Sequence, residues 1–263
     1  GQEILSHEIV ITDEPNINKF TDYWSNTVGF FTVSRPHEEL IIDSRLIAKT
    51  TLQEIDETLS TKDDWQLLAD EISTNIILLD LAQKEKIKSQ EKIQLILDHI
   101  TFDECSPLEA AKKYSQFIFE NFKYVKGITN VETRVDEILE FRSGVCQDFA
   151  HVLLQLLRTV GIPSRYVSGY ICPNKNGMRG EGATHAWIDA YIPNLGWIGI
   201  DPTNNCFANE HHIQLAVGRD FSDCTPVKGT FKGPANHDLM VYVSVGYEDG
   251  TTFEDENEVL MNK

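Results

Sequence analysis

The 263-residue sequence predicts an α+β fold, with an N-terminal antiparallel β module and a core in which a helix packs on an antiparallel sheet. Three observations indicate this fold. Residues 1–57 contain segments of strand character, residues 145–160 are apolar at helical spacing, and residues 184–202 contain two strand-like segments around a turn. We therefore expect two domains, 1–57 and 58–263, the second beginning with a helical connecting segment over residues 58–105.

The N-terminal domain is predicted to be a small β-sandwich. Segments 3–11, 25–34 and 38–51 have strand character. In the last segment apolar and charged side chains alternate, with Leu40, Ile42, Leu46 and Ala48 set against Glu39, Asp43, Arg45 and Lys49. This alternation is typical of an antiparallel sheet that has one face in solvent.

Helical signals follow in the second domain. Apolar residues keep helical spacing from Trp65 to Leu79, which predicts a helix there. The segment 106–109 combines a serine cap, a proline at the first helical position and a glutamate at the third, which together predict a helix start. Thr133 and Asp136 predict the start of a short helix that leads the chain to Ser143.

Cys146 is predicted to lie in the first turn of a helix. Ser143 and Gly144 suit the entry to that helix, and Gly161 ends it. A helix N-terminus presents unpaired N–H groups and a partial positive charge, which stabilise a thiolate and could hold the oxyanion of a tetrahedral intermediate. Cys146 is therefore a candidate nucleophile, and a small buried residue on a core helix is the alternative interpretation.

Residues 184–192 and 196–202 are predicted to form a hairpin. If Tyr191 lies opposite Trp197, Trp187 lies opposite Asp201 and His185 lies on the diagonal. Diagonal neighbours are about 7–8 Å apart at Cα, close enough for a carboxylate to hold an imidazole. A register shifted by one residue would place the two side chains on opposite faces.

Three segments, S-G-V-C-Q-D (143–148), T-H-A-W (184–187) and G-W-I-G-I-D-P-T (196–203), resemble the transglutaminase-like superfamily. The chain is most similar to the bacterial transglutaminase-like proteins that are often described as cysteine proteases. Further segments match as well, namely 161–170 and 218–223 in the core, and 21–26 and 35–37 in the family's N-terminal β module. The resemblance covers most of the chain and implies a papain-like catalytic core, with Cys146 as nucleophile, His185 as base and Asp201 as the residue that orients the base.

The chemistry that the resemblance implies is acyl transfer through a thioester formed on Cys146. Water as the second acyl acceptor gives peptide or amide hydrolysis, which we expect, whereas an amine gives glutamine transamidation. A non-catalytic binding module that keeps the fold is a further alternative. Trp187 and Trp197 are candidate substrate-binding residues, although packing on the hairpin explains them equally well.

We expect no cofactor and no metal. Several candidate ligands occur, but none forms a Cys-x-x-Cys or His-x-x-x-His pair, and they are Cys146, His151, His185, Cys206, His211 and His212. We interpret His211 and His212 as a loop pair or a helix start. Asp148 and His151 are predicted to form a structural ion pair on the nucleophile helix.

Composition limits the partners. Forty-one acidic residues against 23 basic ones give a formal net charge of −18, which argues against nucleic acid and anionic membranes. The expected partner is a peptide or protein amide substrate, and the oligomeric state stays open. Five cysteines without close pairing do not suggest a disulfide scaffold, and no signal peptide pattern occurs, so we expect a reduced, cytoplasmic setting.

Overall fold

The computed structural model describes residues 1–100, 104–129, 133–172, 178–179, 184–233, 238–248 and, for the backbone alone, 252–255. The chain forms two compact units, Gly1–Gln53 and Glu54–Lys263. The division lies close to the boundary that the sequence predicts after residue 57.

The first unit consists of two antiparallel ribbons. Strand β1 (Gln2–Ile11) pairs with β4 (Ile42–Thr50), and β2 (Asn18–Thr21) pairs with β3 (Thr27–Phe30). Each ribbon is a separate two-stranded sheet. The packing of the two ribbons into a small sandwich stays a prediction. The alternation over residues 38–51 correctly indicates a strand, but a sequence pattern does not specify how many strands pair beside it.

The second unit contains six helices among its described residues, namely α1 (Asp64–Thr74), α2 (Ile76–Leu81), α3 (Gln90–Asp98), α4 (Pro107–Asn121), α5 (Val135–Phe141) and α6 (Cys146–Thr159). The predicted helix over residues 65–79 is interrupted at Asn75. The Asn75 side chain accepts hydrogen bonds from the N–H groups of Ile77 and Leu78, which ends α1 and starts α2. In the described part of the chain, every helix is too short or too polar to cross a bilayer.

The predicted start of α4 is confirmed. The Ser106 hydroxyl accepts from the Glu109 N–H at 3.2 Å, and the Glu109 carboxylate accepts from the Ser106 N–H at 2.9 Å. The predicted short helix, α5, is formed, but Arg134 rather than Thr133 occupies its cap position. Asp136 instead accepts a hydrogen bond from the N–H of Ser89, a residue far away in the sequence.

Five antiparallel strands form the main sheet, in the order β10-β9-β8-β7-β11. Their ranges are β7 (Ser164–Ile171), β8 (Thr184–Ile192), β9 (Gly196–Asp201), β10 (Cys206–Phe207) and β11 (His212–Gly218). The interpretation of His211 and His212 as a loop pair or helix start is wrong for His212, which begins β11. A further ribbon joins β12 (Val243–Gly246) to β13 (Thr252–Asp255).

Strand β8 separates the hydrophobic core from the candidate site residues. Its even-numbered side chains, Ala186, Ile188, Ala190 and Ile192, are buried in a core shared with α4, α5 and α6. The odd-numbered side chains, beginning with His185 and Trp187, lie on the other face of the strand. The sheet therefore uses one face for stability and the other for polar side chains.

Candidate active site

Cys146 is the first residue of α6, as the sequence predicts, and is half-buried. Ser143 and Gly144 do not cap the helix. They form a short strand, β6 (Ser143–Gly144), which pairs in parallel with β5 (Lys123–Tyr124), and Val145 is the cap residue.

The Asp148 carboxylate holds the turn before Cys146. It accepts from the Val145 N–H at 2.7 Å and from the Thr129 hydroxyl at 2.6 Å. A Cβ atom at position 144 would lie 2.4 Å from the same carboxylate, so Gly144 makes room for it. Burial raises the pKa of Asp148, although these two hydrogen bonds oppose the shift.

The predicted ion pair between Asp148 and His151 is wrong, because each side chain has other partners. His151 Nδ1 bonds to the Gln147 carbonyl at 2.9 Å, and Nε2 accepts from the Phe221 N–H at 3.3 Å. Burial lowers the pKa of His151. His151 is therefore a neutral structural residue that ties α6 to the segment after β11.

His185 and Asp201 meet on the hairpin of β8 and β9. Tyr191 pairs with Trp197, which is the register that the sequence predicts. His185 Nε2 lies 2.8 Å from Asp201 Oδ2, and both side chains are fully buried. The hairpin register thus brings base and carboxylate together, as the odd numbering of both residues requires.

Cys146 lies within electrostatic reach of His185. Because Nε2 is bonded to Asp201, the other ring nitrogen, Nδ1, is the one available to the thiol, and Nδ1 has no hydrogen-bond partner among the described residues. Burial disfavours the imidazolium, but the Asp201 carboxylate and the Cys146 thiolate outweigh burial and raise the pKa of His185 to about 10. The site therefore favours a protonated His185 at neutral pH.

Asp201 is surrounded by donors. Its Oδ1 accepts from the N–H groups of Thr203 at 2.8 Å and Asn204 at 3.3 Å. Its Oδ2 accepts from the Asn204 amide at 2.7 Å and, beside His185, from His212 Nε2 at 3.2 Å. Burial disfavours the anion, but the two histidines outweigh burial and hold the pKa of Asp201 well below its usual range.

His212 and Asn204 are the residues of this site that the sequence does not reveal. His212 approaches Asp201 only because β11 pairs with β7, on the far side of the sheet from β9 in strand order. Asn204 follows directly after the third motif, and that proximity to Asp201 is a signal that could have identified it.

Trp187 and Trp197 both pack within the fold. Trp187 is 2% exposed and stacks on His185 with ring centroids 6.2 Å apart. Trp197 lies under the Arg165 guanidinium at 4.5 Å and packs edge-on against Tyr191. Both tryptophans thus make the packing contacts that the sequence predicts as the alternative to substrate binding. Their role in substrate binding stays a prediction.

The only metal-ligating cluster among the described residues is formed by His185, Asp201 and His212, whose ligand atoms lie within 4.8 Å of one another. These atoms already face each other at hydrogen-bond distance, and the carboxylate accepts five hydrogen bonds. A metal ion would have to displace several of these donors. The cluster fits a hydrogen-bonded carboxylate better than an ion site.

From its polar, glycine-rich sequence we interpret the segment 173–182 as a loop that forms a wall or lid of the cleft, and this segment lies largely outside the described residues. Of its residues only 178–179 are described, and the backbone of Arg179 is held by Asn204, whose side chain bonds to both its N–H and its carbonyl.

Comparison with known proteins identifies the family. The sequence pattern of the transglutaminase-like superfamily matches residues 96–202, and that of the bacterial transglutaminase-like N-terminal region matches residues 1–49. The chain is 33% identical over 247 residues to the uncharacterized protein ML0607 of Mycobacterium leprae, covering 93% of this chain and 86% of that protein. It is also 36% identical over 73 residues to a protein-glutamine gamma-glutamyltransferase of Pseudomonas aeruginosa, covering 26% of this chain but 11% of that protein.

Among solved structures, the fold is similar to that of "a Putative Cysteine Protease from Cytophaga hutchinsonii". The TM-score is 0.56 at 21% identity, and the match covers 85% of this chain and 73% of that chain. At this identity the similarity concerns the fold, which is an α+β fold with antiparallel sheets. The match to the mycobacterial relative spans almost the whole chain, and the two sequence patterns of the family match its N-terminal region and its core. The chain belongs to the transglutaminase-like superfamily.

Proposed function

We propose that this chain is a thiol acyl-transfer enzyme that hydrolyses peptide or amide bonds through Cys146, His185 and Asp201. The observation that carries the proposal is the buried imidazole, whose Nε2 is bonded to a carboxylate while Nδ1 is left for the thiol. This is the arrangement that a nucleophile, a base and an orienting group require.

The reaction would proceed in two steps. The Cys146 thiolate attacks the amide carbonyl, the carbon–sulfur bond forms, and the imidazolium of His185 gives its proton to the leaving nitrogen as the carbon–nitrogen bond breaks. Water then attacks the thioester, with neutral His185 taking its proton, and the thiolate leaves. Asp201 stays ionised throughout and holds the imidazole in place.

The helix N-terminus would stabilise the oxyanion of both tetrahedral intermediates. The N–H groups of the first helical turn have no acceptor within the helix, and those of Cys146 and Gln147 lie at the start of α6. Asp148 already takes the N–H of Val145, so its carboxylate does not compete for the N–H of Cys146.

Glutamine transamidation is the second candidate, because a relative named as a protein-glutamine gamma-glutamyltransferase shares 36% of 73 residues. The two reactions share the thioester and differ only in its acceptor. A mixture of peptides that contain glutamine, incubated with a primary amine, separates them by product mass. Cleaved peptides support hydrolysis, and amine adducts with ammonia release would support transamidation instead.

The first test is the reactivity of Cys146 toward iodoacetamide across pH. Ordinary thiols, with a pKa of about 8.5, react slowly at pH 6, whereas a thiolate paired with His185 should react there. The other cysteines serve as internal controls, because burial raises the pKa of Cys172, and burial together with Asp201 raises the pKa of Cys206 to about 12.

Labelled sites are then identified by peptide mass spectrometry in the wild type and in His185→Ala. We expect selective labelling of Cys146 at pH 6 and a loss of about tenfold or more in rate in the variant. Labelling of Cys146 no faster than that of the other thiols would contradict the enzyme and favour a non-catalytic binding module.

A further inference from the structure

We propose that His212 is a positioning residue for this site, donating a hydrogen bond to Asp201 so that the carboxylate stays ionised and aimed at His185. The inference rests on the proposed function, and it extends the set of functional residues to one that lies outside the three motifs.

The hydrogen bonds of His212 define its tautomer. The backbone N–H of Asn209 points at Nδ1 at 3.2 Å, and a backbone N–H can only donate, so Nδ1 accepts. The Asn209 side-chain oxygen is also 3.2 Å from Nδ1, but it accepts from the His211 N–H at 2.9 Å. With Nδ1 accepting, the proton of a neutral ring lies on Nε2 and is donated to Asp201 Oδ2 at 3.2 Å.

A neutral donor suits this position. A cation beside Asp201 would compete with His185 for the negative charge of the carboxylate, whereas a neutral N–H fixes its orientation and leaves the charge in place. His212 is buried, and Asp201 also faces His185 and the Cys206 thiol. His212 is therefore the second imidazole that is hydrogen-bonded to the Asp201 carboxylate, and it takes no part in proton transfer to the substrate.

Trp187 holds the two imidazoles in their places. Its ring stacks on His185 at 6.2 Å and meets His212 edge-on at 5.1 Å, while the two histidine rings are 6.0 Å apart. The indole thus fixes the positions from which both rings reach Asp201 Oδ2. This assigns a supporting function to a tryptophan that the sequence offers as a substrate contact.

The test compares three variants by the rate of Cys146 alkylation across pH. His212→Leu removes the donor, His212→Gln offers an amide N–H in its place, and His211→Leu changes the neighbouring histidine, which bonds to Tyr247 at the surface. We expect His212→Leu to lower the rate by about tenfold, the factor of a lost hydrogen bond to a charged group. Its acid limb should move to higher pH, because an Asp201 carboxylate that is no longer held toward His185 stabilises the imidazolium less, and the imidazolium then stabilises the thiolate less.

His212→Gln should recover most of the rate, and His211→Leu should match the wild type. Equal losses in His212→Leu and His212→Gln with an unmoved acid limb would show a packing role and overturn the proposal, as would an unchanged rate in His212→Leu.

A readout that does not need activity separates this inference from the proposed function. Nitrogen-15 NMR of the histidine rings distinguishes the two neutral tautomers and the imidazolium. We expect His212 to carry its proton on Nε2, with Nδ1 unprotonated. A proton on Nδ1, or an imidazolium, would overturn the inference even if Cys146 is reactive. An unreactive Cys146 beside the expected tautomer would count against the proposed function alone.

Discussion

At the scale of single residues, Asp201 determines the charge of His185. A buried imidazole without a partner loses its proton more easily than one in water. Here the carboxylate, 2.8 Å from Nε2, outweighs burial, and with Cys146 it raises the pKa of His185 to about 10. The protonation of His185 at neutral pH therefore depends on the carboxylate of Asp201.

Asp201→Asn should leave the imidazole neutral at pH 7, because burial remains while the negative charge is lost. We expect the alkylation rate of Cys146 at pH 7 to fall by about tenfold or more, with the acid limb of its pH profile moving to higher pH, because the imidazolium that stabilises the thiolate is lost. Iodoacetamide kinetics followed by mass spectrometry measure both. An unchanged acid limb in the variant would show that Asp201 does not set the charge of His185.

The same pair predicts a pH dependence of stability. The pKa of His185 is about 10 in the folded protein, against about 6.5 in an unfolded chain. Its contribution to stability is thus fully present below pH about 6.5 and is lost as pH rises through about 10. The pKa of Asp201 is lowered, so its contribution is present above pH about 3.9 and is lost as pH falls through the folded value.

Urea unfolding of the wild type and of Asp201→Asn measures this dependence. The difference in unfolding free energy between the two proteins should shrink as pH rises from about 6.5 to about 10. Over this interval only the wild type loses the stabilisation that the raised pKa of His185 provides. A constant difference over this interval would contradict the charged pair.

Much of the site could be predicted at this scale because its information is local. The parity of residue numbers on two adjacent strands predicts the contact of His185 and Asp201, and Tyr191 does pair with Trp197. His212 could not be found in this way, because its contact with Asp201 depends on strand β11 pairing with β7. Strand order in a sheet is a property of the tertiary fold.

At the scale of elements, Gly169 allows β7, β8 and β11 to pack together. A Cβ atom there would lie 2.0 Å from the Ile213 carbonyl oxygen and 2.7 Å from the Trp187 ring. Gly169→Ala must therefore displace backbone, and we expect it to cost about 2 kcal/mol or more of unfolding free energy.

Gly229→Ala is the matched control, because a Cβ atom at that exposed position would meet nothing within 4 Å. We expect this control to lie within about 0.5 kcal/mol of the wild type. Urea unfolding compares the two variants, and equal stabilities would show that the close approach at Gly169 relaxes without cost.

Local signals predicted elements well where the element satisfies its own backbone. The capping box of Ser106 and Glu109 satisfies backbone N–H groups at the start of α4, and the helix begins where the sequence predicts. Thr133 and Asp136 gave a similar signal, but Asp136 bonds to Ser89 across the fold and α5 begins at Val135. A capping pattern thus predicts a helix start only when its carboxylate is not hydrogen-bonded to a residue elsewhere in the fold.

At the scale of the whole molecule, the two units differ in burial. Within residues 1–53, Ile11 is the one buried hydrophobic residue. Several large apolar side chains of this unit are more than half exposed, namely Leu5, Phe20, Phe30 and Ile47. Isolated two-stranded ribbons are marginally stable in water. The second unit contains the rest of the described hydrophobic core. It also contains all the residues of the proposed site.

We therefore expect a fragment of residues 54–263 to fold cooperatively and to keep selective alkylation of Cys146 at pH 6. A fragment of residues 1–53 should lack a cooperative transition. Circular dichroism during urea unfolding, with the full chain as reference, measures both. A fragment 54–263 without a cooperative transition would show that the core depends on the first unit.

The turn between β8 and β9 carries a consequence for comparing relatives. A change in residues 193–195 that shifted the pairing of Ile192 with Gly196 by one residue would change the parity on which the meeting of His185 and Asp201 depends. Imidazole and carboxylate would then project from opposite sides of the hairpin, although no functional group had been lost. In a homologue, a complete set of motifs thus brings these two side chains together only when the hairpin keeps this register, so the turn is itself a heritable determinant of their contact.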